Sequence, residues 1–190
     1  MAEITAQLDG ATNVLLRVPP LGAGRDICTS LLRDGGAERS VLFVSFTRQP
    51  SACIDQLADE SSLRNVGVIT AGDTPANVDR EGVVIKNVST ASDLTGLGIE
   101  IGKSLSEWDA PVLVCFESLT SMLQYVDYET AYEFLHAVTG QIHAAGARAH
   151  FHVDPSAHDQ QDIAAITSLF DASVSLDGDP EVRTRALLEG

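Results

Sequence analysis

The alternation of short apolar runs with amphipathic segments constrains the fold of this chain more than any other sequence feature. Runs rich in β-branched residues, which favour extended backbone, occupy residues 14–18, 41–46, 66–69, 83–85, 112–116, 147–154 and 172–176. The run at 112–116 is apolar throughout, as expected for a strand that is covered on both faces. Strands of this kind belong to parallel sheets joined by right-handed crossovers.

Helical periodicity fills the segments between these runs. The pattern predicts helices over residues 27–33 and 51–60, and a third that begins after Ser92 as N-cap. The most regular helix begins at Asp127 and stops at Gly146. Its apolar strip steps by three and four residues through Tyr128, Ala131, Leu135, Val138 and Ile142.

Taken together, these elements predict an α/β fold with three layers and a mostly parallel central sheet. Residues 14–18, 41–46 and 112–116 are expected in the middle of that sheet. The 190 residues contain no internal repeat, low-complexity segment or linker, so we expect a single domain over residues 1–190.

The charge balance points to a particular cellular environment. Asp and Glu number 27 against 12 Lys and Arg, a formal net charge of −15, and Lys86 and Lys103 are the only lysines. Acidic residues are spread along the whole chain, which resembles the acidic surfaces of proteins from salt-accumulating halophiles. This field repels nucleic acids and anionic lipid, so we expect neither as a partner. With no basic region followed by an apolar stretch at the start, we expect a cytoplasmic protein.

The three cysteines, Cys28, Cys53 and Cys115, are scattered and form no C-x-x-C motif. This pattern argues against a disulfide framework or a zinc knuckle and fits a reducing compartment. Because Cys115 lies inside an apolar run, we expect it to be a small core hydrophobe.

A glycine-rich turn follows the first predicted strand, where open α/β sheets bind their ligands. Relative to the phosphate-binding motif G-x-x-x-x-G-K-[ST], Gly24 is kept and Pro19 replaces the first glycine, with Gly22 between them. Arg25 replaces the lysine that reaches the phosphates, and Asp26 replaces the hydroxyl that ligates Mg²⁺. A carboxylate at that point repels phosphate. The glycines either retain part of a nucleotide loop or simply make the turn from strand to helix.

Across most of its length the chain resembles the RecA-like ATPases of the KaiC type, and more closely the degenerate KaiC-like domains of haloarchaea. Residues 41–46 resemble a core strand that in this family ends in an acidic pair containing the water-activating glutamate; here Thr47 and Arg48 follow. Residues 112–116 resemble the Walker B strand, with Glu117 at the position that organises Mg²⁺. Further matching stretches are residues 92–95 and 169–171.

This resemblance implies the fold but not the activity, because the lysine, the hydroxyl and the glutamate that ATP hydrolysis needs are all replaced. It implies a non-catalytic domain that acts through protein association in regulation or signalling, with no cofactor. The alternative is an ATP-binding protein or slow ATPase with residual ATP and Mg²⁺ binding. Its degenerate pocket would comprise Gly22, Gly24, Arg25, Asp26 and Glu117.

Residues 147–154 carry a second candidate site. A period of two places His150, His152 and Asp154 on one face of a strand, a ligand set that suits zinc or a similar ion. A metal-binding protein is therefore a further alternative. The competing interpretation is a strand at the sheet edge or a buried polar row that its neighbours satisfy.

For self-association we expect a small homo-oligomer, a dimer before a hexamer, because two-fold closure is the commonest way to bury a repeated patch. The strip on the helix that begins at Asp127 is wide enough to serve both the core and a partner.

Overall fold

The computed structural model describes residues 2–19, 24–33, 38–57, 63–73, 81–109 and 111–185. Within these ranges one sheet contains the strands β1 (Asn13–Arg17), β2 (Arg39–Ser45), β3 (Leu63–Ala71), β4 (Val83–Val88), β5 (Val112–Glu117), β6 (Arg148–Val153), β7 (Ala172–Ser175) and β8 (Glu181–Thr184). Their order across the sheet is β4-β3-β2-β5-β6-β1-β7-β8. All neighbours are parallel except β7 and β8. The prediction of an α/β protein with a mostly parallel sheet is confirmed, and β1, β2 and β5 are interior strands as expected.

Helices cover both faces of this sheet. They are α1 (Ala2–Gln7), α2 (Gly24–Arg33), α3 (Pro50–Asp55), α4 (Leu94–Glu107), α5 (Leu119–Met122), α6 (Tyr128–Ala144) and α7 (Gln160–Thr167). The first three supply buried side chains to one face, and the last four supply them to the other. Of the helices in the described ranges, none combines the length and the apolar character that a bilayer crossing requires.

Strand β2 shows why the apolar runs are uninterrupted. Successive side chains point to opposite faces, so Leu42 and Val44 pack beneath α4 to α7, and Val41 and Phe43 pack beneath α2 and α3. All four are buried. A strand covered by helices on both sides therefore needs apolar side chains at every position.

Helix α6 buries most of its apolar strip within its own chain. The carboxylate of Asp127 caps the helix by accepting a hydrogen bond from the backbone N–H of Thr130 at 2.8 Å. Four members of the strip are at most 1% exposed and belong to the core: Ala131, Leu135, Val138 and Ile142. Tyr128, the fifth member, is partly buried against the same core, so little of the strip is left for a partner, and the prediction that it also serves one stays a prediction.

Other elements differ from the expectation in their limits. Helix α4 is capped by Asp93, not Ser92, because the Asp93 carboxylate accepts a hydrogen bond from the backbone N–H of Gly96. The segment predicted as helical over 51–60 is helical as far as Asp55, and its last three residues lie outside the described residues. The short elements α1, α7 and β8 carry no strong periodic signal and are absent from the prediction.

Candidate functional site

The carboxyl ends of β2 and β5 lie side by side, with Ser45 opposite Glu117 in the parallel register. Just beyond β2, the Nη1 atom of Arg48 lies 2.6 Å from Oε2 of Glu117. The same guanidinium donates to Oε1 of Gln56 at 3.1 Å and to the carbonyl of Ala52 at 2.7 Å. The carboxylate of Glu117 at the end of β5 is therefore held by an arginine that follows β2.

Local backbone geometry fixes this arginine in place. The N–H of Arg48 donates to the hydroxyl of Ser45, the last residue of β2, at 2.9 Å. The side chains of Arg48 and Glu117 are 18% and 24% exposed, so water screens the pair only in part. Burial is the largest single influence on the pKa of Arg48 and lowers it, but the charge and the hydrogen bond of Glu117, together with smaller contributions from Cys53 and Cys115, outweigh burial, so the net shift is upward. Arg48 thus carries a permanent positive charge against Glu117.

The glycine-rich turn is described only from Gly24 onward, and Gly22 lies outside the described residues. Gly24 is the buried first residue of α2, and a Cβ there would lie 2.7 Å from Cγ1 of Val18. Close packing of α2 against the chain that leaves β1 is enough to account for this glycine.

Arg25 and Asp26 are exposed in the first turn of α2 and line an open groove between α2 and α3. Neither holds Glu117, whose ion-pair partner is Arg48.

Four side chains with metal-ligating atoms meet in the interior beneath α2. We call Cys28, Cys115, His150 and His152 the Cys–His cluster; their ligand atoms all lie within 4.8 Å of one another. The Sγ atoms of Cys28 and Cys115 are 3.3 Å apart, and Nε2 of His150 lies 3.1 Å from Sγ of Cys28. Nε2 of His152 lies 3.7 Å from Sγ of Cys115. No member is more than 8% exposed.

The cluster follows from strand register and from the packing of α2. His150 and His152 alternate with apolar residues along β6 and share the face that α2 covers. Cys115 on β5 lies opposite His150 in the parallel register, and Cys28 belongs to the buried face of α2. One helix and two neighbouring interior strands thus supply the four ligands.

The pKa values of the two thiols in the cluster are shifted in opposite directions. A hydrogen bond from the Cys115 thiol lowers the pKa of Cys28 well below its ordinary value, and the charge of His150 adds to this effect. Burial raises the pKa of Cys115. Of the two thiols, Cys28 is therefore the one that loses its proton more readily.

A hydrogen-bonded chain connects the cluster to the ion pair. Nε2 of Gln56 donates to Sγ of Cys28 at 3.1 Å and to the hydroxyl of Thr29 at 2.9 Å. Oε1 of the same side chain accepts from Arg48, which in turn holds Glu117. The side-chain amide of Gln56 thus links the Cys–His cluster to the Arg48–Glu117 ion pair at the carboxyl ends of β2 and β5.

The structure confirms that His150 and His152 share one buried face of their strand, but Asp154, predicted to lie with them, is not part of the cluster. His150 and His152 lie on one buried face, but β6 is an interior strand, so the interpretation as an edge strand is wrong. Asp154 lies outside the cluster. Its Oδ1 accepts from the backbone N–H of Ser156 at 2.9 Å and caps the 3₁₀ turn Pro155–Ala157. Cys115 is buried as expected, yet its contacts are polar as well as apolar.

Comparisons with known proteins bear on the fold and the family. No curated protein matches this chain. A solved structure of the PH0250 protein from Pyrococcus horikoshii OT3 is similar with a TM-score of 0.66 at 14% identity, covering 96% of this chain and 91% of that one. At this identity the likeness concerns the fold alone. The family model described as a family of unknown function (DUF7504) matches residues 11–176, which include the ion pair and all four members of the cluster. The chain therefore belongs to the DUF7504 family of unknown function.

Proposed function

We propose that this chain is a non-catalytic, KaiC/RecA-like domain that acts through protein association in regulation or signalling. The observation that carries the proposal is the 2.6 Å ion pair between Arg48 and Glu117. In the family that the chain resembles, the carboxylate at this position organises Mg²⁺. Here a divalent cation that approached Glu117 would meet the fixed positive charge of Arg48 at close range. The ion pair thus opposes metal binding by this carboxylate.

Two further features support the same proposal. Thr47 and Arg48 follow β2, so neither residue can supply the carboxylate that activates water in the resembled family. Asp26 adds a negative charge to the first turn of α2, where an ATPase of that family would receive phosphates. Phosphate binding and water activation are therefore both disfavoured, in addition to magnesium binding.

A function by association needs a surface, and the β4 edge of the sheet supports one. Val84 on β4 is 46% exposed and Ile99 on α4 is 53% exposed. The two elements are tied together because Lys86 on β4 forms an ion pair with Glu100 on α4 at 3.0 Å. An edge strand flanked by exposed apolar side chains is suited to pair with a second copy of itself. We therefore place the dimer contact at this edge.

Light scattering in roughly molar KCl, which screens the acidic surface, tests this proposal with and without ATP and Mg²⁺. We expect a dimer whose mass does not change when nucleotide is added. A hexamer that forms only with ATP would contradict the proposal and favour the alternative of a working ATPase. A strict monomer would remove the homo-oligomer and leave association with a different protein.

A further inference from the structure

We propose that Cys28, Cys115, His150 and His152 form a structural binding site for a divalent transition metal ion, with Zn²⁺ as the expected ion. The site goes beyond the proposed function and does not depend on it. Its role is to fasten α2, the helix that follows the glycine-rich turn, to β5 and β6 in the interior of the sheet.

The positions of the donor atoms already approach those of a tetrahedral site. Bonds of about 2.3 Å from zinc to sulfur and about 2.0–2.1 Å to nitrogen place neighbouring donor atoms roughly 3.3–3.8 Å apart. Three donor pairs of the cluster are separated by 3.1, 3.3 and 3.7 Å. The remaining pairs lie within 4.8 Å, so ion binding requires side-chain movements of roughly 1 Å.

The donor set and its burial specify the kind of ion and the kind of site. Two thiolates and two imidazoles suit Zn²⁺ and similar ions, whereas Mg²⁺ and Ca²⁺ prefer oxygen ligands. Four protein ligands complete a tetrahedral shell and leave no position for a substrate, which is typical of structural zinc sites. All four side chains are at most 8% exposed, which also fits a closed site.

A metal ion explains the burial of these groups better than the alternatives. Buried polar side chains are costly unless each has a good partner. Among the described residues, the hydrogen-bond partners of the two imidazole Nε2 atoms are sulfur atoms, which are weak acceptors. A disulfide between Cys28 and Cys115 would require the Sγ atoms to approach from 3.3 Å to about 2.05 Å, and it would give neither histidine a stronger partner than sulfur. One bound ion satisfies all four groups.

Gln56 supplies the outer support that such sites use. Its Nε2 atom donates to Sγ of Cys28 at 3.1 Å, and its own carbonyl is held by Arg48. A donor of this kind orients the sulfur and stabilises its negative charge. We expect Gln56→Ala to weaken metal binding by about 10- to 100-fold, the range found for such outer partners.

Cobalt titration of the full chain tests the proposal. The protein is unfolded in denaturant that contains a chelator and a phosphine reductant, separated from the chelator, and refolded in roughly molar KCl, which supports an acidic fold; Co²⁺ is then added. We expect one equivalent to bind with the intense visible bands of tetrahedral cobalt and a thiolate charge-transfer band in the near ultraviolet. One equivalent of Zn²⁺ should remove both. Wild-type protein that binds no stoichiometric Co²⁺, or binds it without these bands, overturns the proposal.

Substitutions then identify the ligands. Cys115→Ser and His152→Asn should each abolish the tetrahedral spectrum. Cys53→Ser is the matched control, because Cys53 is equally buried in the same layer but lies outside the cluster. Unchanged cobalt spectra in Cys115→Ser, or equal losses in Cys115→Ser and Cys53→Ser, would contradict the assignment. If the ligand variants fail to fold, the wild-type titration decides alone.

Discussion

The guanidinium of Arg48 and the carboxylate of Glu117, which are 69 residues apart in the chain, meet at 2.6 Å where β2 and β5 end. The contact joins two positions that the resembled ATPases reserve for acidic groups. Replacing one acidic position by arginine changes the other as well, since the remaining carboxylate acquires a permanent cationic partner. The residues at the ends of these two strands are therefore physically coupled.

This coupling predicts a measurable interaction energy. Glu117→Gln leaves the Arg48 charge without its partner, so we expect the free energy of unfolding to fall by about 1–3 kcal/mol. The double variant Arg48→Met/Glu117→Gln should lose less than the sum of the two single variants, because it removes the unpaired charge. Chemical denaturation in high salt measures all three. Strictly additive losses would show that the two side chains do not interact.

A second prediction tests whether close packing accounts for the glycine at position 24. A Cβ at position 24 would lie 2.7 Å from the stiff side chain of Val18. Gly24→Ala should therefore lower the free energy of unfolding by about 1–3 kcal/mol, and Val18→Ala in the same chain should restore part of it. The control is Gly140→Ala in α6, where a Cβ meets nothing within 4 Å. That variant should be stabilised by about 0.5–1 kcal/mol. Thermal melts that show no difference between the two glycines would contradict the packing argument.

The net charge of −15 leads to a third prediction. Charge repulsion destabilises the compact state most where the Debye length is long, about 10 Å at 0.1 M salt against about 3 Å at 1 M. We expect the melting temperature to rise substantially between about 0.1 M and about 2 M KCl. Each kcal/mol of repulsion removed corresponds to about 2–4 °C for a chain of this size. A flat melting temperature across this range would contradict the interpretation of the chain as halophilic.

A single substitution that introduces a charge tests the proposed dimer contact at the β4 edge. Val84→Glu places a carboxylate from each copy in the proposed contact, so we expect like-charge repulsion to lower the mass from light scattering to that of a monomer. A dimer mass that does not change in this variant would contradict the contact. Tyr125→Glu is the matched control, because its side chain is similarly exposed at 50% and stacks on Phe46 instead. A monomer produced by the control alone would place the contact elsewhere.

The strand and helix order was predictable because it depends on local periodicity. The apolar runs of β2 and β5 and the capped pattern of α6 have the signals that buried elements require. Strand β8 lacks such a signal because its side chains are largely exposed and its pairing with β7 is antiparallel. Its formation depends on the neighbouring strand more than on its own residues.

The candidate site was predictable only in the part that is local. Placing His150 and His152 on one face requires nothing beyond a period of two. Cys115 and Cys28 join them because β5 is the neighbour of β6 and α2 packs above both, and neither fact can be derived from spacing along the chain. Cys115, a cysteine inside the apolar run of β5, is the residue in the sequence that could indicate the cluster, but its expected burial predicts a core residue equally well.

Calorimetry with ATP and Mg²⁺ in roughly molar KCl, where the acidic surface is screened, tests the central claim of a non-catalytic domain most directly. We expect no measurable heat of binding for the wild-type protein and no release of phosphate on prolonged incubation. The Arg48→Ala variant is measured in parallel with the wild-type protein, because this substitution removes the ion-pair partner of Glu117. Micromolar binding accompanied by turnover in the wild-type protein would contradict the claim and establish the chain as an ATPase with an atypical pocket.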